Sequence, residues 1–292
     1  MLNLFVLLAP ILVPITVIYL ICSFEYRKTD YYKQTHISLL SLRSDKGRYG
    51  EYLIYKNLMN LSGNKRFLFN CYIPKSDGST TEIDVVLLHD SGIYVFESKN
   101  YGGKILGAED TEQWTQVLPA GRWRTQKTHF FNPIIQNKTH IKWLQKYIKQ
   151  DNIPIYSFVV FSDRCRLKKV KLTTGAHYVV NRCSVASAVA ANSSVFGQRL
   201  AVDEMNCIYN DLYPLTQLTE KQKRAHIKQV KKAAFSKNKS KMYASHVVRE
   251  EKACPECGSA LVQKVAKKGT TAGSRFWGCS NFPLCKHTEN IG

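Results

Sequence analysis

The stretch that decides the fold is Thr81-Glu-Ile-Asp-Val-Val-Leu-Leu88 followed by Gly92-Ile-Tyr-Val-Phe-Glu-Ser-Lys99. Each half has the apolar, β-branched composition of a strand, and the short polar sequence between them predicts a hairpin turn. Because side chains alternate faces along a strand, Glu97 and Lys99 share one face, and the hairpin brings Asp84 alongside Glu97. Two carboxylates and an ammonium group at one sheet edge can hold a divalent cation and orient a water molecule. This is the equipment of a metal-dependent phosphodiesterase.

The alternative is an ordinary ion pair on an exposed strand, where such residues commonly occur. Both faces of the second strand are apolar before Glu97, with Ile93 and Val95 on one side and Tyr94 and Phe96 on the other. A strand that is apolar on both faces and ends in charged residues favours a site at the strand end.

Further residues extend this pattern in chain order. Gly47-Arg-Tyr-Gly-Glu51 lies upstream of the strands, and Asn132-Pro133 followed by Gln136 lies downstream, where Asn132 caps a helix that begins at Pro133. With these elements, residues 44 to 165 resemble the PD-(D/E)xK nucleases, and more narrowly the nuclease-related domain known as NERD. The resemblance implies an α/β fold with a restriction-endonuclease-like core, in which a mixed central sheet is flanked by helices.

The resemblance also implies roles for individual residues. Asp84 and Glu97 would bind Mg²⁺ (or Mn²⁺), and Lys99 would position or activate the attacking water. Glu51 would support the metal site, and Gln136 would contact it from its helix. Helix-borne glutamates and glutamines are also commonly solvated surface residues, so that alternative stays open for these two.

Two histidines flank the Gln136 helix. A lone histidine near a helix end is more often structural or exposed than catalytic, so His129 and His140 are interpreted as lying outside the site.

The strongest single motif is a set of four cysteines near the C-terminus, Cys254, Cys257, Cys279 and Cys285. Two Cys pairs at this spacing suit tetrahedral zinc, and the Cys-x-x-Cys-Gly knuckle turns backbone amides toward the sulfurs. A reduced or disulfide-bonded cluster without metal is the alternative. We predict one structural Zn²⁺ bound by these four thiolates.

The residues around these cysteines resemble the zinc ribbon at the C-termini of bacterial type IA topoisomerases, which is associated with single-stranded DNA. Arg275 and Lys286 offer contacts to phosphates, and Trp277 either stacks on a base or belongs to the ribbon core. Phe276 and Phe282 are predicted to form that core.

Residues 1–24 carry no charge and are rich in Leu, Ile and Val, which makes them long and apolar enough to span a bilayer. A cleaved signal peptide would need a basic start and a small-residue cleavage site, and neither is evident. A buried core helix is the other alternative. Since Arg27, Lys28 and Lys33 follow the span, the positive-inside rule predicts a single-pass protein of the bacterial inner membrane, with the bulk of the chain in the cytoplasm.

Lysines and arginines exceed acids by 42 to 22, a formal net charge of +20. This excess suits nucleic acid, and it also suits an anionic inner leaflet. The remaining cysteines show no framework spacing, which favours a reducing compartment. The segment Lys33–Met59 is predicted to be helical. The predicted organisation is a transmembrane anchor (1–24), a juxtamembrane helix (25–43), a nuclease-like domain (44–215), a basic helix and linker (216–252) and a zinc ribbon (253–292).

The sequence therefore predicts a membrane-anchored, metal-dependent nuclease whose zinc ribbon binds DNA, including single strands. The chain carries no P-loop or helicase motif, so any motor, such as a helicase, would be a separate protein partner. Two alternatives stay open: a non-catalytic protein that tethers nucleic acid or a partner to the inner membrane, and a ribbon that binds protein.

Overall fold

The computed structural model describes residues 2–219, 221–230, 253–266 and 273–290. The chain divides into two compact units, Met1–His226 and Ile227–Gly292, and each is described by itself.

The first unit alternates helices and strands along the chain. Its helices are α1 (Leu2–Arg27), α2 (Asp30–Thr35), α3 (Leu39–Ser44), α4 (Lys46–Leu58), α5 (Pro133–Ile148), α6 (Val185–Phe196) and α7 (Val202–Leu212). Its strands are β1 (Lys65–Pro74), β2 (Thr80–His89), β3 (Gly92–Lys99), β4 (Gly103–Ala108), β5 (Gln113–Pro119), β6 (Thr125–Phe131), β7 (Ile155–Phe161), β8 (Cys165–Lys171) and β9 (His177–Asn181).

A five-stranded sheet forms the centre of this unit, in the spatial order β1-β2-β3-β7-β9. The first three strands pair antiparallel, and β3, β7 and β9 pair parallel, so the sheet is mixed. One face packs against α2, α3, α4 and α6 through residues such as Tyr31, Leu42 and Val189. The other face packs against α5 and α7 through Leu144 and Met205. A mixed sheet with helices on both faces confirms the predicted α/β class.

The segment Lys33–Met59 is largely helical, as predicted, but three short helices cover it rather than a continuous one. His36 adopts a left-handed backbone (φ 53°) and ends α2. The side chain of Ser38 then caps α3, and Asp45 accepts hydrogen bonds from two backbone amides in the first turn of α4. Local capping interactions break a segment that the apolar pattern reads as continuous.

Helix α1 extends beyond the predicted 1–24 to Arg27, and its last turn packs against the other helices of the first unit. Tyr26 is buried, and its hydroxyl donates a hydrogen bond to the carbonyl of Ile37 at 2.9 Å. The large apolar side chains between residues 11 and 24 are mostly exposed, so α1 is not the buried core helix considered above. In the described part of the chain, Pro10–Arg27 is the segment long and apolar enough to cross a membrane.

A second sheet, in the order β6-β5-β4-β8, continues from the strands of the first. Strand β4 follows the end of β3, and β8 follows the end of β7. Strands β3 and β7 pair in parallel in the first sheet, and β4 and β8 pair in parallel in the second. Gly103 turns the chain between the two sheets with φ 77°, and any larger residue there would collide with the backbone of Val117. The sequence predicts further strands in this region but does not predict that they form a separate sheet. This sheet begins at Gly103, just after β3 ends at Lys99.

The second unit contains a small antiparallel sheet of β10 (Leu261–Val265), β11 (Arg275–Cys279) and β12 (Thr288–Asn290). Of the basic segment predicted at 216–252, residues 221–230 are helical. The rest of that segment, 231–252, which includes the predicted linker, lies outside the described residues.

Candidate functional site

Asp84, in the middle of β2, lies beside Glu97, which is near the end of β3. Val85 pairs with Phe96 in the β2–β3 ladder, which places Asp84 next to Glu97 one step further along. The backbone amide of Ser98 donates a hydrogen bond to Asp84 Oδ2 at 2.7 Å. Glu97 is only 1% exposed, whereas Asp84 is half-buried. The hairpin therefore brings the two predicted metal ligands together.

The alternation of faces along β1 and β2 reverses at the site. Phe69 and its partner Val85 belong to one core cluster, whereas Cys71 and its partner Ile83 belong to the cluster on the opposite face. Residues two apart normally share a face. Asn70, between them, has φ 52°, a left-handed conformation that is uncommon for residues other than glycine and often found at functional sites.

Lys99 is held in a buried ion pair. Its Nζ atom donates to Glu97 Oε1 at 2.6 Å and to Gln136 Oε1 at 3.1 Å. Burial opposes the charged form of both partners. The carboxylates of Glu97 and Asp84 nevertheless raise the pKa of Lys99, while the Lys99 ammonium and His140 lower the pKa of Glu97. Lys99 is therefore an ammonium ion, suited to stabilising negative charge rather than to accepting a proton.

His140 joins the same network, which the sequence-based interpretation of this residue missed. Its Nε2 atom lies 3.1 Å from Glu97 Oε2, and its Nδ1 atom lies 2.7 Å from the hydroxyl of Thr81. A tautomer that donates from Nε2 to the carboxylate and accepts the Thr81 proton at Nδ1 satisfies both contacts. The available signal was spacing, because His140 lies four residues after Gln136 on the same face of α5. His129, by contrast, is exposed on β6, as expected.

Glu51 reaches this region from α4. It is 8% exposed and accepts hydrogen bonds from Asn70 Nδ2 at 2.9 Å and from the Tyr31 hydroxyl at 3.4 Å. The neighbouring Gly50 permits the approach of α4 to β3, because a Cβ atom there would lie 2.9 Å from Ser98 Oγ. Burial raises the pKa of Glu51 to about 7.

The electrostatics of these acids suit the binding of a cation. Burial, followed by the charges of Glu97 and Glu51, holds the pKa of Asp84 well above its ordinary range. Three carboxylates cannot all ionise in a buried site without a compensating charge. Mg²⁺ is commonly bound by one or two carboxylates together with waters and substrate phosphates, and Asp84 and Glu97 fit that donor set. Among the described residues the two form no tight three-ligand group with Glu51, consistent with a supporting position for Glu51.

These pKa shifts predict how stability depends on pH. The folded pKa of Glu51, about 7, lies above its ordinary 4.5, so the unfolded chain releases this proton first as pH rises. In metal-free protein, stability should therefore fall between pH 4.5 and 7, by roughly 3 kcal/mol from Glu51 alone. The Glu51→Gln variant keeps the hydrogen bonds without the charge, so its melting temperature should exceed that of the parent at pH 8.

The measurement is thermal unfolding of the full-length protein in detergent and EDTA, at pH 5 and pH 8. Glu25→Gln, at an exposed carboxylate, is the matched control and should show no such gain. Equal destabilisation of Glu51→Gln at both pH values would contradict the prediction.

The second candidate centre is the cysteine cluster of the ribbon. The four sulfurs of Cys254, Cys257, Cys279 and Cys285 lie within 4.8 Å of one another. The Sγ–Sγ distances are 3.7 Å between Cys254 and Cys285 and 3.4 Å between Cys257 and Cys279. Disulfides require about 2.05 Å, whereas zinc with four bonds of about 2.3 Å separates sulfurs by about 3.8 Å. Hydrogen bonds from Ser259 lower the pKa of Cys257 to about 6, which favours the thiolate. The cluster thus fits tetrahedral zinc.

The ribbon residues predicted to bind DNA differ in exposure. Arg275 and Lys286 are exposed, and Trp277 is half-buried against the cysteine cluster. Phe276 is half-buried, but Phe282 is 61% exposed, so its prediction as a core residue is wrong. The buried cysteines and Leu261 occupy the small interior and leave Phe282 outside.

Both regions match known families. A family model described as a nuclease-related domain (NERD) matches residues 46–162, which include the carboxylates, Lys99 and Gln136. A second, described as a topoisomerase DNA-binding C4 zinc finger, matches residues 251–292, which include the four cysteines.

Individual relatives agree with this division. An uncharacterized protein of Bacillus anthracis is 30% identical over 184 residues, which is 63% of this chain and 82% of that protein. DNA topoisomerase 1 of Methanocaldococcus jannaschii is 44% identical over 45 residues, 15% of this chain but only 5% of that protein. No solved structure matches the chain.

Proposed function

Because this chain belongs to the nuclease-related domain (NERD) family and carries a topoisomerase-type C4 zinc ribbon, we propose that it is a metal-dependent nuclease that hydrolyses phosphodiester bonds in DNA. The observation that carries the proposal is the buried, charged network of Asp84, Glu97, Lys99 and Gln136. A protein that only bound nucleic acid would have no use for two adjacent carboxylates and a buried ammonium.

In this proposal each side chain has a distinct task. Asp84 and Glu97 would hold Mg²⁺ or Mn²⁺. The bound ion would polarise the scissile phosphate and lower the pKa of a water molecule. The Lys99 ammonium would stabilise the negative charge that builds up on the phosphate oxygens as the water oxygen bonds to phosphorus and the ester bond breaks. Gln136 fixes the direction of Lys99, and Glu51 adds negative charge behind Asp84.

The termini complete the proposal. Helix α1 would anchor the protein in the bacterial inner membrane, with the bulk of the chain in the cytoplasm, supported by its length, its exposed apolar side chains and the basic residues that follow. The ribbon, holding one Zn²⁺, would grip DNA through Arg275, Lys286 and Trp277.

The test is cleavage by the full-length protein in detergent. Closed-circular and linear DNA, single- and double-stranded, and a matched RNA would each be incubated with Mg²⁺, Mn²⁺ or EDTA. Metal-dependent cleavage of DNA supports the proposal, and cutting of closed circles identifies an endonuclease. Binding without cleavage under every condition would overturn it in favour of a non-catalytic tether.

The His140 contact leads to a further prediction. His140→Asn removes the donor to Glu97, whereas the Nε2 atom of glutamine in His140→Gln can replace it. We expect cleavage by His140→Asn to be slower by about tenfold to a hundredfold and to need more Mg²⁺ for half-maximal rate, with partial rescue in His140→Gln. Mg²⁺ titrations of single-turnover rates would measure both effects.

The pair of variants separates positioning from packing. If His140→Asn and His140→Gln lose equal activity at saturating Mg²⁺ and equal thermal stability, His140 has only a packing role. Thr81→Val, which removes the hydroxyl at Nδ1, should show a smaller form of the His140→Asn defect.

A further inference from the structure

The outer part of the second sheet carries a cavity without an assigned role. The cavity has a volume of about 470 Å³, within the range of about 300–1,000 Å³ typical of ligand sites. Five of its lining residues are cationic, one is a tryptophan, and none is acidic. The charged and aromatic members are Lys104, Arg122, Trp123, Arg124, Arg164 and Arg166.

Trp123 is the unusual member of this group. It lies at the tip of the β5–β6 hairpin, in a loop closed by a hydrogen bond from the Ala120 amide to the Arg124 carbonyl, and it is 89% exposed. The other tryptophan of this sheet, Trp114, is fully buried beside Ile105 and Phe161. Packing of the sheet therefore uses Trp114 and leaves Trp123 exposed, with the Arg122 guanidinium 5.9 Å from the centre of its ring. An exposed indole flanked by two arginines is suited to stacking on a nucleic-acid base.

Arg164 links the lining of the cavity to the end of β3, near the candidate nuclease site. Its guanidinium donates to the carbonyl and to the side-chain oxygen of Asn100, the residue that follows Lys99. The backbone carbonyl of Arg164 accepts the amide of Gly103, where the second sheet begins. Arg164 thus connects the cationic lining of the cavity to the residue that follows Lys99.

From this arrangement we infer that the cavity binds a single nucleic-acid strand, with one base stacked on Trp123 and the phosphates held by the surrounding arginines and Lys104. The inference rests on the proposed nuclease function for its biological purpose and extends it by naming the substrate class as single-stranded or locally unpaired. A base paired within a duplex cannot present its face to Trp123, which sets the preference for single strands. The link through Arg164 to Asn100, next to Lys99, favours nucleic acid over an anionic membrane, which the same charges would attract.

The test compares full-length variants in detergent without added Mg²⁺ or Mn²⁺, so that binding is measured without cleavage and the ribbon keeps its zinc. The probe is a fluorescent 20-nucleotide oligo(dT), with a blunt duplex of equal length for comparison. We expect Trp123→Ala to weaken oligo(dT) binding about tenfold and duplex binding little, and Trp123→Phe to restore most of the loss. Arg122→Gln with Arg124→Gln should reduce the slope of log affinity against log salt by about 1.4. The control is Lys56→Gln with Lys142→Gln, which removes the same charge at exposed helical positions. It should leave both the oligo(dT) affinity and the salt slope close to those of the parent.

Because the ribbon also contacts DNA in the proposed function, a direct readout accompanies affinity. Oligo(dT) carrying 5-iodouridine would be cross-linked by ultraviolet light, and the linked peptide identified by mass spectrometry. Linkage at Trp123 supports the inference, even if the parent protein cleaves nothing and the proposed nuclease function fails. Unchanged binding and no linkage at Trp123 in an active nuclease would overturn the inference alone. If Trp123→Ala or the Arg122→Gln, Arg124→Gln double variant loses binding to vesicles of anionic lipid but binds oligo(dT) like the parent, the surface is assigned to the membrane instead.

Discussion

Replacing Lys99 with methionine is expected to lower the single-turnover rate of DNA cleavage by about a thousandfold or more. Removing one group that stabilises transition-state charge typically costs about 10²–10³ in rate, and Lys99 also pairs with the proposed metal ligand Glu97. Glu97→Gln should cause a loss of similar size, because it removes a negative charge from the metal site. Binding of DNA in EDTA should survive in both variants, since the arginines and the ribbon lie elsewhere in the sequence.

The controls for this prediction follow from the burial of the pair. Lys142→Met makes the same substitution at an exposed position of α5 and should cleave like the parent. Since Lys99→Met leaves the carboxylate of Glu97 without its ammonium, it should also lower thermal stability, so rates are compared only below the melting temperature of each variant. If Lys99→Met and Glu97→Gln, purified in parallel, cut like the parent, the site is misassigned.

The sequence predicts those parts of the site that depend on local order. The hairpin of β2 and β3, the capped helix α5 and the cysteine pairs are set by neighbouring residues, so alternation, capping and spacing identify them. Asp84, Glu97, Lys99 and Gln136 come together because the first three occupy adjoining strands and the fourth begins a helix packed on the same sheet. Glu51 also lies close enough to Asp84 to raise its pKa, but the hydrogen-bond partners of Glu51, Asn70 and Tyr31, were not predicted from the sequence.

Features set by long-range geometry escape the sequence. The contact of His140 with Glu97 depends on how α5 packs across the sheet, and helical spacing alone does not choose which of two histidines faces inward. The left-handed Asn70 reverses the alternation of two strands, yet its sequence context resembles ordinary strand. No local sequence pattern shows which of Trp114 and Trp123 is buried. The pairing of β5 with β6 buries Trp114 and leaves Trp123 exposed at the hairpin tip.

Cys257→Ser is expected to abolish the fold of the ribbon while leaving the nuclease-like unit folded. The buried apolar cluster described for the second unit consists of the cysteines themselves and Leu261, with Trp277 packed against it. So small an interior cannot offset the entropy of ordering this segment, and structural zinc supplies an apparent free energy of about 10–16 kcal/mol in comparable domains. Loss of one thiolate ligand therefore removes most of what holds the ribbon together.

The measurements are zinc content by elemental mass spectrometry and limited proteolysis of the full-length protein. The parent should contain one zinc per chain and resist cleavage within 253–266 and 273–290, whereas Cys257→Ser should lose the metal and be cut there. Cys207→Ser, at an exposed cysteine of α7, should match the parent. Full zinc content and protease resistance in Cys257→Ser would exclude the four-thiolate site. Because the nuclease-like unit has its own core clusters on both faces of its sheet, its thermal transition should be the same in all three proteins, so any fall in DNA binding by Cys257→Ser measures what the ribbon contributes.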